Sequence, residues 1–148
     1  SILHQPQNLL RYILPSFYLF SCYHRLKYNE YIDNELSNKI LIYKDGELVN
    51  IDGASNRLAW LLHGPKEVYV LVGMNKLVSD VEAAIGRIRN TACPANTIRL
   101  DRKTPCSMTG KCGNCFGDES ICSNIVVTRR SSFPNRIKVI LIAENLGY

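Results

Sequence analysis

The chain has 148 residues, of which 46% are hydrophobic and 21% charged, a composition typical of a globular protein and not of a disordered one. At this length it fits one domain that can bury a real core. The net charge of +5 comes from scattered basic residues, without a Lys/Arg run interleaved with aromatic residues, which argues against nucleic-acid binding.

Neither a secretory signal nor a membrane span is predicted. The apolar stretch over residues 9–23 is too short for a comfortable transmembrane helix, and it contains Arg11 and Pro15. Without an export signal the cytoplasm is the default compartment, and there clustered cysteines favour metal binding over disulfides.

Residues 1–37 differ in pattern from the rest of the chain. Apolar residues recur there at helical spacing as far as Phe20, with an interruption at Pro15, and a more polar stretch follows. This pattern predicts a leader of one or two helices.

From Asn38 the signals of regular structure become sharper. Residues 39–43 (KILIY) and 47–51 (ELVNI) predict two strands that pair as a hairpin around an Asp-Gly turn. Capping residues over 52–56 then introduce a short amphipathic helix over 57–63, which a Gly-Pro pair ends.

The run over residues 67–72 (EVYVLV) is typical of a strand buried on both faces. A turn over 73–76 leads to a helix over about 79–90, which opens with a capping box from Ser79 to Glu82. A strand, a loop and a helix in this order indicate half of a βαβ unit. Two more strands are predicted, over 125–129 and 136–143.

The strongest chemical signal lies over residues 104–122, where four of the six cysteines follow the spacing C-x5-C-x2-C-x6-C. Glycines in this loop supply the tight turns that let its thiols fold around one ion. Four thiolates suit tetrahedral zinc or an iron–sulfur cluster, while two disulfides or idle thiols are the alternatives. The predicted metal ligands are Cys106, Cys112, Cys115 and Cys122. Cys93, before the loop, is either a small buried residue or a fifth thiol close to the cluster.

Several motifs in a fixed order resemble the lactate-utilisation (LUD) domain family, in particular its cysteine-bearing branch. They are DGELVNIDG, GPKEVYVLVGMNKLV, the TPC…TGKC loop and the closing RIKVILIAENLGY, and together they cover residues 45–148. The resemblance implies an α/β fold like that of the ribose-5-phosphate isomerase, glucosamine-6-phosphate deaminase and CoA-transferase group. It also implies a part in lactate oxidation, alongside iron–sulfur partner proteins.

The chain departs from this family on its N-terminal side. Family members usually carry an upstream half with a glycine/serine-rich turn facing the active site, and residues 1–37 supply no such turn. We therefore expect residues 38–148 to be the C-terminal part of a LUD domain, incomplete on its N-terminal side and joined to an unrelated leader. A missing half-sheet exposes a strand edge, which either the helices of the leader or another chain, as in a homo-oligomer, must cover.

Open α/β sheets bind ligands at the carboxyl ends of their strands, which here is the turn after residues 67–72. A backbone that approaches an anion closely needs glycine, and a lysine there supplies charge; the alternative is a plain turn. For the segment over 52–57, helix capping is favoured over ligand contact. The candidate ligand-binding residues are Gly73, Asn75 and Lys76, then Asp52, Asn56 and Arg57, and finally Glu144 after the last strand.

Three functions fit these patterns. The leading hypothesis is a cytoplasmic LUD-type protein that binds a metal or an iron–sulfur cluster and has a redox or accessory role in organic-acid oxidation. The second is an enzyme of the isomerase and CoA-transferase group that acts on a small anionic substrate. The third is an inactive remnant with a structural zinc site.

Overall fold

A computed structural model describes residues 46–148 and, earlier in the chain, two strands over residues 30–33 and 39–42. Residues 1–29, 34–38 and 43–45 lie outside the described residues. The helices predicted for the leader fall mostly on those residues.

Strands and short helices alternate along the chain. They are β1 (Glu30–Asp33), β2 (Lys39–Ile42), β3 (Leu48–Asp52), α1 (Asn56–Leu62), β4 (Glu67–Gly73), β5 (Leu77–Val78), α2 (Val81–Arg87), α3 (Cys93–Arg99), α4 (Pro105–Thr109), β6 (Asn124–Thr128) and β7 (Ile137–Ile142). A 3-10 turn, Met74–Lys76, joins β4 to β5, and a π-helical segment, Ile88–Ala92, joins α2 to α3. The fold is mixed α/β, in agreement with the predicted class.

In the part of the chain that the structure describes, two small sheets form the framework. The first has the order β1-β4-β7, and both pairings are parallel, so that Val70 of β4 lies between Asp33 and Val139. The second has the order β5-β2-β3-β6, in which β3 is antiparallel to both neighbours and β2 is parallel to β5. The predicted hairpin is therefore β2–β3. The central position of β4 explains its nearly continuous apolar sequence.

Strand β1 corrects part of the helical prediction for the leader. Glu30–Asp33 forms a strand that pairs in parallel with β4. Strand preference depends on pairing context more than on local propensity, and the open edge of β4 supplies that context. This strand, and not a helix of the leader, pairs with the side of β4 opposite β7.

Buried side chains of the described residues form two apolar clusters, and β3 contributes to both, one from each of its faces. Val49 and Ile51 pack against the helical run from α2 to α3. Leu48 packs with α1 and with the valines of β4. Alternate residues of a strand point to opposite faces, so β3 separates the two clusters and carries Asn50 on the same face as Leu48.

The helical run after β5 is longer than predicted and starts one residue later. Its N-cap is Asp80 and not Ser79, because the Asp80 carboxylate accepts a hydrogen bond from the backbone N–H of Ala83 at 2.7 Å. The run continues past residue 90 through the π-helical segment to Arg99. Pro94 does not end it, since the π-helical segment before it has already displaced the α-helical hydrogen bonds.

A buried arginine joins the end of α1 to the start of β7. The guanidinium of Arg136 donates hydrogen bonds to the carbonyl oxygens of Trp60 at 2.9 Å, Leu61 at 2.6 Å and Pro65 at 2.9 Å. These carbonyls lie at the C-terminal end of a helix and just beyond it, where backbone acceptors lack helical partners. The contact holds α1 against the parallel sheet.

Candidate functional site

The cysteine loop starts with the short helix α4. Thr104 caps this helix, because its hydroxyl accepts a hydrogen bond from the backbone N–H of Ser107 at 3.3 Å. Gly110 ends it in the left-handed conformation with φ 72°, which favours glycine. Cys106 is therefore held on a turn of helix, and the three later cysteines follow on irregular backbone before β6.

All five cysteines of the described residues are free. Cys93 and Cys106 are buried, while Cys112, Cys115 and Cys122 are partly buried. The Sγ atoms of Cys93 and Cys122 lie 3.4 Å apart. This distance is much longer than the disulfide bond of about 2.05 Å, so the two groups are neighbouring thiols.

The loop docks on the helical run from α2 to α3 at three points. The Sγ of Cys106 lies 3.6 Å from the hydroxyl of Thr97 on α3. The backbone N–H of Cys112 donates a hydrogen bond of 3.1 Å to the side chain of Asn90 in the π-helical segment. Together with the Cys93–Cys122 contact, these bonds gather three of the four predicted ligands along one helix.

The contact between Cys93 and Cys122 shifts the pKa values of the two thiols in opposite directions. The hydrogen bond with Cys93 stabilises the Cys122 thiolate and lowers its pKa to about 7, and the charge of Arg89 acts in the same direction. The same hydrogen bond raises the pKa of Cys93, and burial adds to the effect. Near neutral pH the pair therefore holds one proton more tightly than two separate thiols would.

The thiols have the chemistry of a soft-metal site, since thiolates are the preferred ligands of zinc and of iron–sulfur clusters. In the described part of the chain, however, no three His, Cys, Asp or Glu side chains converge closely enough to hold an ion as they stand. Metal binding by Cys106, Cys112, Cys115 and Cys122 stays a prediction.

The second candidate site centres on Lys76, in the turn that leaves β4. The Lys76 side chain has a relative exposure of 0%, and its Nζ has no hydrogen-bond partner among the described residues. Burial and the charges of Arg87 and Arg57 lower the pKa of Lys76 to about 8. An unpaired buried ammonium group is costly, and a bound anion would relieve this cost.

Asp52 and Arg57 form a buried ion pair beside this lysine group. The Nη2 atom of Arg57 lies 2.9 Å from the Oδ2 atom of Asp52. Asp52 also accepts a hydrogen bond of 3.0 Å from the backbone N–H of Ser55, the residue that precedes α1. Asn56 is exposed, and its side chain accepts a hydrogen bond of 2.8 Å from the backbone N–H of Arg57. These contacts lie at the start of α1, but its N-cap residue Ser55 accepts no capping hydrogen bond with its side chain. Capping by this segment stays a prediction.

Gly73 and Asn75 contact the C-terminal segment. Asn75 accepts a hydrogen bond from the backbone N–H of Leu146 at 3.2 Å and donates one to the carbonyl of Gly147 at 3.2 Å. A Cβ atom on Gly73 would lie 2.6 Å from the Leu146 nitrogen and 2.8 Å from the carbonyl oxygen of Glu144. The side chain of Glu144 is exposed. Close packing of the C-terminal segment therefore requires glycine here, whether or not a ligand binds.

Comparison with known families gives a match to the family described as LUD domain, over residues 37–142. This match covers well over half of the chain. The chain belongs to the LUD domain family. No curated protein and no solved structure matches it.

The LUD domain contains both groups of residues, since the matched range includes Lys76 and the entire cysteine loop. The family resemblance seen in the sequence motifs is confirmed. Among the described residues, no helix combines the length and the apolar character that a membrane crossing requires.

Sequence reasoning did not single out Asn50 or Arg87. Asn50 is fully buried in β3, and neither polar atom of its side chain has a hydrogen-bond partner in the described residues. Its one sequence signal is a polar residue between the apolar residues Val49 and Ile51 of β3. The charge of Arg87, on α2, lowers the pKa of Lys76. No local pattern indicates this effect, because it depends on how two elements pack.

Proposed function

We propose that this LUD-domain protein binds a soft metal ion or an iron–sulfur cluster with the thiols of its cysteine loop. The observation that carries the proposal is the gathering of Cys106, Cys112 and Cys122 on one helical run, with Cys122 at 3.4 Å from Cys93. Free thiols crowded in this way are typical of metal sites in a reducing compartment.

The family supports a redox or accessory role in organic-acid oxidation, with lactate as the first substrate class to test. An iron–sulfur cluster on the loop would exchange single electrons with iron–sulfur partner proteins, whereas zinc would only order the loop. We place this activity in the cytoplasm, where cysteines stay reduced.

Metal analysis and absorption spectroscopy on anaerobically purified protein test this proposal. Iron, sulfide and a brown colour would support the redox role, and stoichiometric zinc in a colourless protein would support the accessory role. A wild-type protein without stoichiometric metal under these conditions contradicts both roles. Zinc without any response to organic acids or phosphates would favour the inactive remnant.

A second candidate is an enzyme of the isomerase and CoA-transferase group that acts on a small anionic substrate. The observation that favours it is Lys76, whose buried Nζ has no hydrogen-bond partner among the described residues. The charges of two arginines lower the pKa of this lysine. Lys76 follows the carboxyl end of β4, the central strand of a parallel sheet, where open α/β sheets bind their ligands. This second proposal includes a fold like that of the isomerase and CoA-transferase group.

A further inference from the structure

The hydrogen bonds of the loop indicate a different ligand set from the one that cysteine spacing predicts. They tie Cys106, Cys112 and Cys122 to the helical run from α2 to α3. In the described residues they include none from Cys115. The thiol that the helical run itself contributes is Cys93.

Cys93 lies at the centre of the face on which the loop docks. Asn90 holds the backbone of Cys112, Cys93 meets Cys122, and Thr97 meets Cys106. These three contacts place Asn90, Cys93 and Thr97 on the side of the helical run that faces the loop. Cys93 is also the first residue after a π-helical segment, a feature often found at functional sites.

We propose that Cys93, Cys106, Cys112 and Cys122 bind one tetrahedral soft-metal ion, and that Cys115 is not a ligand. This inference rests on the proposed function and names its ligands. Two thiolates bound to one zinc ion at about 2.3 Å are about 3.8 Å apart in a regular tetrahedron. The Sγ atoms of Cys93 and Cys122, at 3.4 Å, are already close to this separation.

Among the described residues no three thiol side chains converge on one point, so metal binding would have to draw Cys106 and Cys112 towards this pair. Ligand loops commonly become ordered when the metal binds, because binding energy and folding energy are coupled. Cys106 moves with α4, whose cap at Thr104 also places a hydroxyl 3.2 Å from the Cys106 Sγ. Such an outer-shell group can orient a ligand and tune its basicity.

Cobalt titration of the full chain tests the ligand set. Reduced, metal-free wild type, Cys93→Ala and Cys115→Ala are titrated with Co²⁺, and Zn²⁺ affinity is measured by competition. The near-ultraviolet thiolate-to-cobalt charge-transfer band grows with the number of bound thiolates. We expect Cys115→Ala to match wild type. Cys93→Ala should lose about a quarter of the band, as one of four ligands. It should also bind both metals at least about tenfold more weakly, since the loss of even an outer-shell partner costs about 10–100-fold.

A labelling experiment on the wild type avoids any effect of substitution on folding. In the zinc-loaded protein, iodoacetamide should alkylate Cys115 as fast as in the metal-free protein, whereas zinc should protect Cys112 and Cys122. Mass spectrometry of peptides reads out each cysteine. Circular dichroism of the metal-free variants, with Cys93→Ser as a second substitution, checks that they fold.

The opposite pattern overturns the ligand set but leaves the proposed metal function intact. It consists of full Co²⁺ binding by folded Cys93→Ala, loss of binding by Cys115→Ala, and protection of Cys115 by zinc. A wild type that binds neither Co²⁺ nor Zn²⁺ overturns both proposals. A bound four-iron cluster overturns the single-ion geometry, since each of its irons takes its own thiolate.

Discussion

At the scale of single residues, Lys76 is the most unusual group in the described part of the chain. Its ammonium is fully buried without a hydrogen-bond partner there, and the charges of Arg57 and Arg87 oppose its protonation. Proteins seldom retain an unpaired buried charge unless it has a use, because neutral replacements are more stable. Lys76 is therefore the residue on which the small-anion hypothesis depends.

The first prediction concerns the pH dependence of stability. Lys76 has a pKa of about 8 in the folded protein, against 10.5 for an ordinary lysine. Between these two values the unfolded chain binds more protons than the folded one, so stability should rise with pH. The free energy of unfolding should rise by up to about 3 kcal/mol across this interval, and below pH 8 the full cost of the buried charge remains.

Urea unfolding at pH 7, 9 and 10.5 measures this effect. The free energy of unfolding of Lys76→Met should rise less than that of wild type, by the amount that Lys76 contributes, because the Cys93–Cys122 pair titrates in both proteins. Lys76→Met should also be more stable than wild type at pH 7. Lys66→Met is the matched control, because Lys66 is exposed and close in sequence, and it should keep the wild-type pH profile. A Lys76→Met protein that is less stable than wild type at pH 7 would contradict the interpretation.

The second prediction concerns anion binding at the same residue. If a small carboxylate or phosphate pairs with the Lys76 ammonium, Lys76→Met should weaken its binding by about 1–3 kcal/mol, the usual range for a hydrogen bond to a charged group. Thermal shifts with lactate, pyruvate, sugar phosphates and CoA esters measure this, with Lys66→Met as the control. The hypothesis fails if no compound stabilises wild type, or if Lys76→Met responds equally.

At the scale of elements, the turn after β4 serves as a docking point for the C-terminal segment. Asn75 pairs with the backbone of Leu146 and Gly147, and the backbone N–H of Met74 donates to the carbonyl of Glu144 at 3.1 Å. The same turn carries Lys76 one residue later. Docking of the C-terminal segment therefore stabilises the turn that positions the buried lysine.

The third prediction is that Gly73→Ala destabilises the protein by about 1–3 kcal/mol, the range for overpacking. The added Cβ would lie within 2.8 Å of backbone atoms in the C-terminal segment, which must then move. Gly86→Ala is the control, since a Cβ at this helical position meets no atom within 4 Å. It should stabilise the protein by about 0.5–1 kcal/mol, because alanine favours helix over glycine.

Urea unfolding of the two glycine variants at one pH measures both effects. Equal stability of Gly73→Ala and wild type would show that the C-terminal segment is not packed on the turn as described. The size of the effect also reports how far docking of this segment contributes to the stability of the whole LUD domain.

At the scale of the whole molecule, contacts between residues distant in sequence hold the parallel sheet together and fix α1 to it. Arg136, before β7, holds the end of α1, and β1 covers the open edge of β4. The sequence predicted β3, β4 and β7 because each is a compact apolar run. It did not predict β1 as a strand, because pairing with β4 and not local propensity stabilises those four residues.

The sequence alone determined the mixed α/β class, the family and the presence of a thiol-rich loop, because periodicity, motif order and cysteine spacing are local properties of the chain. Only the tertiary structure decided which cysteines meet. Cys93 and Cys122 are 29 residues apart in the chain, and the docking of the loop on the helical run brings them to 3.4 Å. In the same way, burial of Lys76 among arginines of α1 and α2 depends on packing, since no local pattern encodes the distance between separate elements.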